Sequence, residues 1–185
     1  MRKYLAVIPA VLFPYIIILE LLCIFTGNFL MEAVFQHNLL LLLIIPVVFW
    51  SAAMAGMIVQ IRKTQRQGQS GQDLAKMNLV VKAIQIPAYG ALFICGVLFL
   101  LTVFTFAFSF VLVIFDGMAI CLTGILGGAA AWRCRREGIL SRKQAAVCGC
   151  LQFIFCLDIF AALWMYRRAK KQRSNVRNAG RQPAY

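Results

Sequence analysis

The stretch LLLLLIIPVVFWSAAMAGMIVQI, residues 39–61, opens with an unbroken aliphatic run from Leu39 to Ile45 and ends against Arg62 and Lys63. At about 1.5 Å of rise per residue, a helix of this length crosses a hydrocarbon layer roughly 30 Å thick. The rest of the chain has the same character. Across 185 residues, 62% are hydrophobic and 14% charged, and the mean hydropathy is +0.82. Soluble domains run at about half apolar and a quarter charged. The excess must therefore face lipid, which excludes the disordered, collagenous and coiled-coil classes.

Working outward, residues 5–26 form a first apolar run behind Arg2 and Lys3. It is too long, and with Pro9 and Pro14 too rich in proline, for the core of a cleaved signal peptide, so it reads as a retained helix. The connector to Asn38 has no Lys or Arg, which places it outside and the N-terminus in the cytoplasm by the positive-inside bias. Residues 62–76 read as a solvated cytoplasmic loop rich in Gln and Gly.

Between Leu79 and Trp132 only Lys82 and Asp116 are charged, a length that fits a helical hairpin of two crossings. Its turn falls either at Asp116-Gly117 or near Ala107 to Ser109, the latter giving spans at about 79–106 and 109–132. Residues 145–166 form another long run, apolar around its circumference except for Gln152 and Asp158. A crossing there places the basic stretch from Arg167 to Arg181 outside, against the bias that fits every other loop. A continuous helix nevertheless satisfies its own backbone in lipid, so a fifth crossing is expected. The fold class is thus an all-α, polytopic transmembrane bundle of four to five helices over residues 1–166, with a basic, disordered tail over 167–185.

The 19 Lys and Arg against 6 acids, a net charge of +13, would suggest nucleic acid in a soluble protein. Here the bases flank apolar spans, which points instead to anionic lipid at a cytoplasmic face. Seven cysteines show no Cys-x-x-Cys pair, and most lie within apolar runs, as buried small hydrophobes do. Cys148-Gly149-Cys150 is the nearest approach to a redox pair.

Asn78, Lys82, Gln85 and Tyr89 recur at helical spacing and share one face, a polar stripe that must look toward other helices or a wet cavity. Either Lys82 snorkels to the cytoplasmic interface while the amides tie helices together, or the stripe lines a cavity. Glu20, Asp116 and Asp158 lie in or beside apolar runs and, given five crossings, share a depth in the outer half of the bilayer. Convergent carboxylates there would hold a proton or a cation; separate ones would serve as helix-end or interhelical hydrogen-bonding groups. Gly124 and Gly128 form a G-x-x-x-G pair suited to close backbone approach, either inside the chain or at a dimer seam. His37 has only Glu32 near it, too few ligands for zinc. No Ser/His/Asp set, phosphate-binding glycine loop or H-E-x-x-H motif occurs, so neither metal, cofactor nor catalytic residue is expected.

The patterns Asn78-x-x-x-Lys82-x-x-x-Ile86-Pro87-Ala88-Tyr89 and Arg136-Glu137-Gly138-Ile139-Leu140-Ser141 resemble segments of uncharacterised small multi-pass membrane proteins of Gram-positive bacteria. That resemblance implies a bacterial plasma-membrane setting and no activity. Two functions are expected from the residues. One is a non-catalytic accessory or regulatory component that packs against a membrane-protein partner or a second copy. The other is a small oligomeric transporter or channel using Lys82, Gln85, Asp116 and Asp158.

Overall fold

The computed structural model describes residues 7–26, 38–101 and 105–179. Among them the chain is all-α, with six helices: α1 (Ile8–Thr26), α2 (Leu39–Arg66), α3 (Gly71–Leu100), α4 (Phe106–Arg136), α5 (Arg142–Leu151) and α6 (Leu157–Ala179). Four of these, α1 to α4, are long and apolar enough to cross a membrane.

The two helices expected between Leu79 and Trp132 are present, but the first ends at Leu100 and the second begins at Phe106, so they part before both expected turn positions. Thr105 marks the place, its hydroxyl donating to the Phe99 carbonyl at 3.2 Å. Asp116-Gly117 lies inside α4. A turn signal in water is overridden here because backbone groups in lipid are satisfied most simply by continuing the helix. The polar loop expected over residues 62–76 is also shorter, since α2 runs to Arg66 and α3 starts at Gly71. Gly68, with φ of 63°, turns the chain between α2 and α3, and the Asp73 amide donates to the Ser70 hydroxyl at 3.3 Å at the start of α3.

The expected continuous helix over 145–166 is two helices with a break between. Ser141 and Gln144 form a capping box that starts α5. The break closes at Cys156, whose φ of 64° lies in the left-handed region that non-glycine residues seldom adopt. The basic stretch expected to be disordered continues α6 as helix through Ala179, and residues 180–185 lie outside the described ones.

The helices pack as two compact units, the first comprising Met1–Gln60 with Ile84–Leu122 and the second Ile61–Ala83 with Thr123–Tyr185. Helices α2, α3 and α4 contribute residues to both.

The first unit contains three helices interrupted by proline in sequence but not in structure: Pro14, Pro46 and Pro87 all sit inside helices. Proline has no N–H, so Pro14 leaves the Ala10 carbonyl without its usual helical donor. Gln85 supplies one from α3, its Nε2 donating to that carbonyl at 2.8 Å. In the opposite direction the Tyr15 hydroxyl donates to the Ile84 carbonyl, one turn before Pro87. Trp50 donates to the Met118 carbonyl at 2.9 Å and Ser109 to the Gly96 carbonyl at 3.1 Å, tying α2 to α4 and α4 to α3.

The second unit is pinned where α4 ends and α3 begins. Glu137 accepts from the Gly71 amide at 2.8 Å and from Arg133 Nε at 2.9 Å. The amide is one of the donors a helix N-terminus leaves unmatched. A Cβ on Gly71 would lie 3.0 Å from the Cys134 backbone nitrogen, so only glycine lets the two helices come this close.

Candidate functional site: a buried ion pair in the second unit

Lys82 and Asp158 form a salt bridge in the second unit, with the lysine at 0% exposure and the aspartate at 3%. Each comes from a position its own helix explains. Lys82 lies on the buried face of α3, one helical turn beyond Asn78. Asp158 lies in the first turn of α6, where the positive end of the helix dipole favours a carboxylate. It reaches that position because the break after α5 starts a new helix at Leu157; an unbroken helix from Ala145 would have no terminus there. Thr123 Oγ1 is 3.4 Å from the lysine nitrogen.

A second polar contact lies beside the pair. Asn78 Nδ2 donates to Gln152 Oε1 at 3.2 Å, and both residues are fully buried. The other halves of these amides, Asn78 Oδ1 and Gln152 Nε2, are buried without hydrogen-bond partners. Gln152 is seated by a close approach: a Cβ on Gly127 would lie 2.3 Å from its Oε1. Phe153 covers Gly124 in the same way, with Cε1 2.6 Å from where a Cβ would stand.

Electrostatics follow from burial. Two charges withdrawn from water cost several kcal/mol each, and mutual pairing is what makes that tolerable. Lys82 and Asp158 are therefore tied to each other, and the pair is neutral as a whole. It can hold α6 against α3, but neither member is free to act as an acid, a base or a ligand while the pair is intact.

All four residues of the expected stripe are buried, so Lys82 does not snorkel outward. The stripe is not one site, however. Asn78 and Lys82 serve the second unit, whereas Gln85 and Tyr89 serve the first, with Tyr89 donating to Gln85 Oε1 at 3.3 Å. The three acids expected within the membrane are likewise divided: Glu20 and Asp116 belong to the first unit, and Asp158 to the second with its lysine. No three His, Cys, Asp or Glu side chains come together among the described residues. The shared carboxylate site is thus replaced by an ammonium–carboxylate pair. Of the expected G-x-x-x-G pair, Gly124 makes a close approach, but to a phenylalanine ring. Gly128 has open space around it, and Gly127 carries the tight contact instead. His37 lies outside the described residues.

All seven cysteines are free thiols. Cys148 is buried and Cys150 exposed, and burial pushes the Cys148 thiol above its ordinary range. A thiol in that state is a poor nucleophile.

Sequence reasoning missed Thr123, Gly127 and Gln152 as members of the site. Gln152 did leave a signal, since it and Asp158 are the two polar side chains in an otherwise apolar run. Compared with models of known protein families, with characterised proteins and with solved structures, the chain gives no significant match.

Proposed function

We propose that the chain is a non-catalytic accessory or regulatory component of a membrane, with its buried charge used for holding its own helices together. The observation that carries this is the Lys82–Asp158 pair, which leaves the two strongest candidate groups engaged with each other. Gln85, the third polar group a transporter would draw on, is engaged with Ala10.

Four crossings fit the same reading. They return the chain to the side from which it started, so Arg62 and Lys63, Arg133 to Lys143 and Arg167 to Lys171 all fall on one side. By the positive-inside bias that side is cytoplasmic, together with the N-terminus, and its bases meet anionic lipid. The conflict raised by a fifth crossing then disappears. A bacterial plasma membrane is the setting this proposal adopts, and a membrane-protein partner or a second copy is the expected company.

Reconstitution tests the proposal. Proteoliposomes holding the purified protein should show no ion or solute flux above protein-free vesicles. A flux that is lost in a Lys82→Met, Asp158→Leu double variant would overturn the reading in favour of a small transporter or channel.

A further inference from the structure

In the first unit, a cavity of about 230 Å³ lies among α1, α2 and α4, with Glu20 in its wall. Its other walls are apolar and include Ile17, Leu21, Phe108, Val111 and Phe115. Glu20 is 4% exposed, and its Oε1 is buried with no hydrogen-bond partner. Buried polar groups are nearly always matched, and a carboxyl within a membrane helix marks a functional site by default. The two phenylalanines add a second kind of recognition. Phe115 is buried, and Phe108 is held by the rings of Phe25 and Phe99, each 6.2 Å away. Ring faces attract cations, most strongly where water is excluded.

We propose that this cavity binds an apolar organic cation of the aryl-alkyl ammonium class, with Glu20 as its counter-ion. Charge pairing with the carboxylate answers the unmatched oxygen, and Phe108 and Phe115 supply aromatic wall for the rest of the cation. A cavity of about 150 Å³ already admits benzene, so this one takes a ring together with a small ammonium head. A lipid acyl chain matches the walls but offers nothing to Glu20. The inference does not depend on the proposed function, because it concerns different residues in the other unit.

Equilibrium dialysis of radiolabelled benzyltrimethylammonium against the protein in nanodiscs, at one fixed pH, tests it. Saturable binding is expected, weakened roughly ten-fold or more by Glu20→Gln. Neopentylbenzene, the uncharged isostere, should not displace the label. Absence of saturable binding, equal affinity in Glu20→Gln, or displacement by the uncharged isostere would each overturn the proposal. Should Glu20→Gln fail to yield monodisperse protein, Val111→Phe narrows the cavity and keeps the carboxylate. Weakened binding in that variant supports the site, and unchanged binding overturns it.

Discussion

Gln85 on α3 donates a hydrogen bond to the Ala10 carbonyl on α1, the carbonyl that Pro14 leaves without a helical donor. The proline and the glutamine thus form one device, although they are far apart in sequence. A break in the internal bonding of one helix becomes the point where another is attached. Membrane helices tolerate proline under this condition, that a neighbour satisfies the freed carbonyl.

Removing the donor should therefore be costly only while the proline is present. Gln85→Leu is expected to lower stability by about 1–3 kcal/mol, because it leaves a buried carbonyl unmatched. In a Pro14→Ala background residue 14 regains its N–H and reclaims the carbonyl, so the same substitution should cost much less. A double-mutant cycle read by SDS titration in mixed micelles measures the difference. Additive effects would show that the two residues are not coupled.

The buried ion pair predicts another form of non-additivity. Lys82→Met or Asp158→Leu alone strands a charge and should cost about 3–5 kcal/mol, while the double replacement recovers much of that loss. The same titration on the three variants checks this. A double variant as unstable as the sum of the singles would mean that Lys82 and Asp158 act through separate neighbours.

The glycines of α4 should rank in an order their spacing does not suggest. Gly127→Val drives a side chain into Gln152, which is buried and bonded to Asn78, so it should cost about 1–3 kcal/mol in overpacking. Gly124→Val meets Phe153, which is half exposed and can swing away, and should cost less. Gly128→Val meets nothing within 4 Å and should be nearly silent. Thermal unfolding in detergent orders the three variants. A Gly128 variant as damaging as the Gly127 one would restore the G-x-x-x-G seam.

These cases also show how far the sequence could be read. The presence of several long apolar helices was legible because the cost of polar backbone in lipid acts on composition over some twenty residues. The inward face of α3 was legible because Asn78, Lys82, Gln85 and Tyr89 follow the helical period. Their partners were not, since partner choice depends on which helices meet. The bond from Gln85 to Ala10 needs α1 and α3 side by side, and no periodicity reports that. Asp158 was judged by its depth in an assumed crossing. The continuous helix which that depth presupposes breaks at residues 152–156, where the chain leaves the helix without proline and with Gly149 as the nearest sequence hint.

The side on which α6 lies is the remaining consequence of that break. At ten residues α5 is about 15 Å long, half of what a crossing requires. Helix α6 begins at Leu157 and turns basic from Arg167, so its apolar part is also too short, and neither helix is among those fit to span. On the proposed four crossings, α6 lies on the same side as the N-terminus. Ser174 is exposed near its end and can carry a label. In a background without native cysteines, Ser174→Cys should react with an impermeant maleimide only after the membrane is permeabilised. Asn38→Cys, at the start of α2, should react in intact cells. Labelling of residue 174 from outside would restore the fifth crossing, and with it a path through the bilayer for the segment carrying Asp158.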